Sequence, residues 1–351
     1  MTLAQLIAQI SPPDAQAQAA ARARQDQLTK PQGSLGRLEA LAIQIAGIRG
    51  QARPQLRHKA IVVMAGDHGV VAEGISAFPQ EVTPQMVMNF LHGGAAINAL
   101  ARHAQARVIV VDMGVAAKIP PHPQLISKKI APGTANIAQG PAMSRQQAEQ
   151  ALLAGAEIIT AQQTRGLDIL GLGEMGIGNT TPAAAIAAAL TQHAPAEIVG
   201  RGTGLDDAGV QHKSNIVQQA LALNQPDPED ALDVLAKVGG YEIAGLVGAT
   251  LAAAAQGIPV MVDGFITTAA VMLAVKLAPQ VQQYLIASHQ SQEKGHALML
   301  TWLGLEPLLK LDLRLGEGSG AALGITLADA ACKALDEMAT FAEAAVAGKK
   351  A

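Results

Sequence analysis

Five short apolar runs, each closing on a small, acidic or hydroxyl residue or a histidine, constrain this chain more than any other feature. They are AIVVMAGDHG (60–69), VIVVDMG (108–114), DILGLGEMG (168–176), IPVMVDG (258–264) and YLIASH (284–289). Each is too short for a typical helix, and alanine-rich stretches of helical length separate them. Uninterrupted Val/Ile runs alternating with helices mark a parallel sheet covered on both faces, an α/β class of fold. Ligands of such sheets bind outside the carboxyl ends of the strands. Asp67, His68, Asp112, Glu174, Asp263 and Ser288 should therefore crowd one edge.

Composition agrees. Half of the 351 residues are hydrophobic but only 2% are aromatic, so the core is built from Ala, Val, Ile, Leu and Met. Small side chains favour close packing of helix on sheet. The net charge is −3 and no basic run exceeds two residues, which argues against nucleic acid and anionic membranes as partners. The single cysteine, Cys332, excludes an internal disulfide and fits a reducing compartment. The N-terminal segment has neither a basic start nor a long apolar stretch, so no signal peptide is expected. Residues 243–262 are uncharged and long enough to span a bilayer, but Gln256-Gly-Ile-Pro259 breaks them. They read instead as a buried helix stopped at Gly257 and followed by a strand. A soluble, cytoplasmic protein is expected.

Before residue 60 the pattern is helical. Ser11 is the expected N-cap of a first helix, with a proline at its start and Asp14 in its first turn. Ser34 is the cap candidate for a second, with Leu38, Leu41, Ile45 and Ile48 at helical spacing. A last helix is expected from Gly320 to Ala347.

Two glycine-rich loops carry the candidate chemistry. GLGEMGIGNTTP (171–182) holds a G-x-G-x-x-G at Gly171, Gly173 and Gly176, the fingerprint of a dinucleotide site when it closes a first strand. Here it lies mid-chain, has a fourth glycine at Gly178, and leads through polar caps into a helix. That combination still makes an anion cradle, because bare backbone N–H groups meet a helix start. GRGTGLDDAGVQHK (200–213) repeats the device, with Gly202 and Gly204, Thr203 as a cap, Asp206-Asp207 as first-turn acids, and Lys213 on the following helix. Together the loops suit a monophosphate; no P-loop and no diphosphate-metal motif accompanies them. Histidines are scattered, without zinc spacing. His68 is either a ligand contact or a loop histidine. RLGEGSG (314–320) sets one acid, Glu317, between two glycines after an apolar run. Bare neighbours would let a flat ligand approach that acid closely.

Nine segments, in order, resemble one family. They are KPQGSLGRLE (30–39), MAGDHGV (64–70), VTPQMVMNFLHGGAAINALAR (82–102), VVDMGV (110–115), GEMGIGNTT (173–181), GRGTGLDD (200–207), VDGFITTAA (262–270), SHQSQEKGH (288–296) and RLGEGSGAAL (314–323). The chain resembles the nicotinate-nucleotide–dimethylbenzimidazole phosphoribosyltransferases of cobalamin lower-ligand synthesis over nearly all its length from residue 30.

The resemblance implies a Rossmann-like, doubly wound, mainly parallel sheet, and a homodimer. It divides the chain into a large α/β domain at 60–330 and a small helical domain from both chain ends, 1–59 with 331–351. It implies transfer of ribose 5-phosphate from nicotinate mononucleotide to 5,6-dimethylbenzimidazole, releasing nicotinate and α-ribazole 5′-phosphate, without metal or organic cofactor. Glu317 matches the family's general base. Gly176, Gly178, Gly202 and Lys213 are expected to hold phosphate, and Glu174 and Asp263 to meet ribose hydroxyls or orient substrate. Ser291 is assigned to the nucleotide or nicotinate end. Gln85, Met175 and Leu315 are expected as walls of the benzimidazole pocket. Two other readings compete: an NAD-dependent oxidoreductase resting on Gly171, Gly173, Gly176 and Glu197, and a nucleotide sensor without catalysis.

Overall fold

The computed structural model describes residues 1–202 and 204–347. Helices α1 (Leu3–Ile7), α2 (Ala15–Gln25) and α3 (Arg37–Arg49) precede strand β1 (Lys59–Gly66). Helices α4 (Val82–His92) and α5 (Ala96–His103) lead to β2 (Ala106–Gly114), and β3 (Leu125–Ser127) and α6 (Arg145–Gln162) lead to β4 (Ile169–Met175). Five helices then follow: α7 (Thr180–Thr191), α8 (Pro195–Ile198), α9 (Asp207–Asn224), α10 (Ala231–Val238) and α11 (Tyr241–Ala255). After β5 (Val260–Val262), α12 (Phe265–Leu277) and β6 (Leu285–Ala287), the chain closes with α13 (His296–Leu303) and α14 (Ser319–Glu337).

All five strand pairs are parallel, in the order β3-β2-β1-β4-β5-β6. This is the doubly wound order, and the direction of winding reverses between β1 and β4. Strand side chains alternate between two cores. Ala60, Val62 and Met64 pack with α6, α7, α10, α11 and α12, whereas Ile61, Val63 and Ala65 pack with α3, α5 and α14. The expected cover on both faces is therefore present, and the five predicted runs are strands or contain them. The short edge strand β3 was not anticipated; LIS is too brief for any periodicity to register.

The uncharged stretch is α11, in which every residue but Ala255 is buried. Gly257, at φ +64°, follows its end as predicted. Among the described residues no helix is long and apolar enough to cross a membrane. Three boundary expectations need correction. Asp14, not Ser11, caps α2, its Oδ1 accepting from Gln16 N–H and Ala17 N–H, because two prolines push the helix start downstream. Ser34 caps nothing; α3 begins after Gly36, at φ +54°. The last helix ends at Glu337, where Thr29 N–H and Phe341 N–H instead join the two chain ends.

The alanine and glycine content has a specific use where α6 crosses α11. A Cβ on Gly248 would lie 1.7 Å from the Leu152 carbonyl oxygen, and one on Gly155 would lie 2.0 Å from that of Gly245. Gly248→Ala is expected to destabilise the fold by about 1–3 kcal/mol, read from urea unfolding, through overpacking.

Candidate functional site

The carboxyl edge of the sheet carries the predicted polar residues, all buried: Asp67 and His68 after β1, Asp112 in β2, Glu174 in β4, Asp263 after β5 and Ser288 after β6. A cavity of about 510 Å³ opens there, over β4 and β5. Asp67 and Asp112 are not on its wall; they tie down the loop after β2 through Ala116 N–H and Val115 N–H. His68 is a structural histidine. Its Nε2 lies 2.7 Å from Glu242 Oε1, and both side chains are buried behind the cavity.

Eight of the eleven predicted site residues line the cavity: Glu174, Met175, Gly176, Gly202, Asp263, Ser291, Leu315 and Glu317. Gly178, Lys213 and Gln85 do not. Gly178 is a turn residue at φ +87°, closed in by Val71. Lys213 lies directly behind the wall. Gln85 points to solvent on α4, and its neighbours Val82 and Met86, one turn apart, face the cavity instead. A wall residue on a surface helix is set by which stripe turns inward, and a motif match alone does not resolve that.

The Glu317 loop departs most from expectation. Gly316, Glu317 and Gly318 have φ of +84°, +63° and +90°, three left-handed residues in a row immediately before α14. For glutamate this conformation costs on the order of 1–2 kcal/mol, so the surroundings must hold it. They do: its carboxylate accepts from Ile97 N–H, at 3.2 Å, in the first turn of α5. The flanking glycines do not bare the acid to a flat ligand. A Cβ at Gly316 would sit 2.2 Å from Glu174 Oε1, and one at Gly318 would sit 2.8 Å from the Ile61 side chain. Both positions are taken by protein, and the glycines permit the backbone turn and its docking on β4.

The dinucleotide fingerprint is likewise redirected. Gly171 and Gly173 lie within β4 rather than in a turn, and a Cβ on Gly173 would be 2.4 Å from the Glu317 carbonyl oxygen. These glycines let α14 and its leading loop approach the sheet. The segment therefore does not form the cofactor-diphosphate turn that an NAD enzyme needs, and Glu197 is exposed on α8. Asn179 does not cap α7; its side chain is hydrogen-bonded to Glu174 Oε2.

Charge at this edge is lopsided. Burial pushes Glu174 up to about 8, reinforced by nearby Asp263 and Glu242, against the pull of Asn179 and of the Glu317 backbone. Burial also raises Asp263, to about 7, although three backbone N–H groups of the α14 start pull it back. Glu317 is raised by burial, against the pull of the Ile97 N–H. At the other end, Lys213 is lowered to about 8 by burial, partly offset by Glu293. Its Nζ donates to Thr180 Oγ1 at 2.5 Å and lies 3.1 Å from where a Gly202 Cβ would be. Thr180 and Gly202 are on the cavity wall. Thr203, predicted to cap, lies outside the described residues; Asp206 caps α9, accepting from Gly209 N–H.

Ser291 stands in a buried relay. Its N–H donates to His296 Nδ1, which leaves the proton of neutral His296 on Nε2, 2.9 Å from Thr268 Oγ1. Burial lowers His296 to about 3, so it stays neutral. Wall residues that sequence reading missed include Phe78, Phe265, His289, Glu293 and Arg314. All but Phe265 lie in loops, where no hydrophobic period marks the inward side.

The buried ammonium makes a test. Because the native pKa of Lys213 lies below the ordinary 10.5, the unfolded chain binds more protons between pH 8 and 10.5. The Lys213 contribution should therefore stabilise the fold progressively as pH rises through that window, by about 3 kcal/mol in total. The difference in urea stability between wild type and Lys213→Met is expected to shrink accordingly, with the variant the more stable below pH 8.

A phosphoribosyltransferase family model matches residues 10–346. The nicotinate-nucleotide–dimethylbenzimidazole phosphoribosyltransferase of Roseiflexus sp. (strain RS-1) is 60% identical over 347 residues, covering 99% of this chain and 98% of that protein. The enzyme of the same name from Desulforudis audaxviator is 55% identical, covering 99% of each chain. The crystal structure of CobT from Thermus thermophilus superposes with a TM-score of 0.91 at 50% identity, covering 95% of this chain and 99% of that one. Sequence and fold agree, and the chain belongs to the nicotinate-nucleotide–dimethylbenzimidazole phosphoribosyltransferase family.

Proposed function

We propose that this chain moves ribose 5-phosphate from nicotinate mononucleotide to 5,6-dimethylbenzimidazole, the lower-ligand step of cobalamin synthesis. The carrying observation is that one cavity has a buried carboxylate, Glu317, on its wall and a buried ammonium, Lys213, behind Thr180 and Gly202. One acceptor ring nitrogen attacks the anomeric carbon while the bond from that carbon to nicotinate breaks. That electron pair neutralises the departing pyridinium, so no acid is needed. The new bond makes the acceptor ring cationic, and Glu317 takes the proton from its other nitrogen. Attack opposite the leaving ring inverts the β-nucleotide to the α-nucleotide. Holding both rings in line supplies much of the remaining acceleration.

Phosphate falls to Lys213 and Gly202, with Gly176 and Gly178 shaping the neighbouring turn; a dianion there restores the charge that burial of Lys213 disfavours. Glu174, neutral near pH 7, offers an O–H to a ribose hydroxyl. Ser291 faces the nucleotide. Met175 and Leu315 wall the acceptor pocket together with Val82 and Met86, which take the place expected of Gln85.

Packing of the two chain ends, through Arg24 Nε donating to Leu335 O at 2.8 Å and Arg53 pairing with Asp336 at 2.6 Å, supports a small helical unit of 1–59 with 331–351 beside the 60–330 unit. α14 runs across that boundary, and 348–351 lie outside the described residues. A homodimer, implied by the resemblance, and a cytoplasmic location, expected from the single cysteine and the N-terminal segment, complete the proposal. Sedimentation at twice the chain mass tests the first.

The decisive experiment is nicotinate release from nicotinate mononucleotide, with and without the acceptor. Acceptor-dependent release is expected for wild type. Glu317→Gln should bind both substrates and lose about 10²–10⁴-fold in turnover. Binding without release in the wild type would instead make the protein a nucleotide sensor. Lys213→Met should raise the donor KM about 10–100-fold and leave the acceptor KM within about threefold, as loss of a charge-assisted bond implies. Equal rises for both would remove Lys213 from the phosphate.

A further inference from the structure

Asp263 follows β5 and is 2% exposed, on the cavity wall yet turned away from solvent. Its Oδ1 accepts from Gly320 N–H at 2.6 Å and Ala321 N–H at 3.0 Å, and its Oδ2 accepts from Gly318 N–H at 3.1 Å. Those are the first free donors of α14. A helix start leaves such groups unsatisfied, and the residue preceding the helix ordinarily serves them. Here that residue is Gly318, which has no side chain and stands at φ +90°. The acceptor has to come from elsewhere in the fold, and a carboxylate there is also favoured by the helix dipole.

The same turn contains Glu317. Its left-handed backbone is anchored on one side by Ile97 N–H, through its own carboxylate. The Glu174 carboxyl meets the Glu317 backbone. On the helical side of the turn, Asp263 holds three N–H groups at once. Gly320 completes the seat: a Cβ there would lie 1.9 Å from His289 Nδ1 and 2.9 Å from Asp263 Oδ1, so the first turn of α14 is pressed onto this pair.

We propose that Asp263 is the positioning residue for the general base: by holding the N–H groups of Gly318, Gly320 and Ala321 it locks the left-handed turn that aims Glu317 into the cavity. Both its oxygens face the helix start, and it leaves the ribose to other groups. The inference rests on Glu317 being the base, and the test separates the two.

Asp263→Asn is isosteric but replaces one accepting oxygen with an NH₂ that faces a backbone N–H. The thermal midpoint, the Kd for nicotinate mononucleotide alone by calorimetry, KM for both substrates and single-turnover rates are measured in wild-type and Glu317→Gln backgrounds. The expected result is a folded protein with donor Kd within about twofold of wild type and a rate about 100-fold lower, the scale of a misplacement near 1 Å. In the Glu317→Gln background the same change should cost less than about threefold, because the group it positions is already gone. A donor Kd raised about tenfold or more, or the same rate loss in both backgrounds, would overturn the proposal and put Asp263 on the substrate. A Glu317→Gln protein with wild-type rate would instead overturn the base, whatever Asp263 does. Asp263→Glu keeps the charge and displaces the helix start by one methylene. It is expected to show the same split between rate and binding, and it carries the comparison if the asparagine variant does not fold; wild-type rate in Asp263→Glu overturns the proposal.

Discussion

Both faces of a six-stranded parallel sheet are sealed by helices, and the remaining features of the molecule follow from that constraint. With no face open, polar chemistry can only collect where the strands end. The reversal of winding between β1 and β4 keeps the crossovers from covering that edge, and the cavity opens beside it, over β4 and β5. Sealing two faces with so few aromatic residues demands that helices approach closely, hence the glycine contacts between α6 and α11. The same economy lets α14 lie on Gly171 and Gly173, so that its leading turn reaches the cavity wall.

Crowding acids at one buried edge has an electrostatic consequence. Beyond the effect of burial, Asp263 and Glu242 raise Glu174, and Glu317 raises Asp263. The fold handles each acid differently. Glu242 is matched with His68. Asp263 faces a helix start, Glu317 meets the Ile97 N–H, and Glu174 is left to protonate near neutrality. The buried ammonium of Lys213 has a hydroxyl rather than a carboxylate as its hydrogen-bond partner. Burying an ammonium on a hydroxyl, with Glu293 only partly offsetting the loss of water, gives up part of the folding free energy.

Much of this was legible beforehand. Strand runs report on themselves, since a fully buried strand must be apolar throughout and must end where polar groups begin. That alone placed Glu174 and Asp263 near one edge. Gly316 and Gly318, and the fingerprint pair Gly171 and Gly173, were visible, but a glycine records that something comes close without recording what. At Gly316, Gly318, Gly171 and Gly173 the visitor is the protein's own backbone or a neighbouring side chain. Gln85 was placed one position from the true wall, because the inward stripe of α4 is selected by what it packs against. The caps at Ser11 and Ser34 failed because a serine near a helix start caps only if the chain direction there allows it.

The amino-acid sequence by itself therefore determined the parallel sheet, the covered faces, the edge that carries the chemistry and the family, since each is written in local pattern or in ordered motifs. Only the tertiary structure decided how each acid is used. Asp263 lies 55 residues before Gly318 in the chain, yet its carboxylate serves that N–H and two beyond it. Hydrogen bonds across such separations depend on how strands and helices close in space, and no local pattern encodes them.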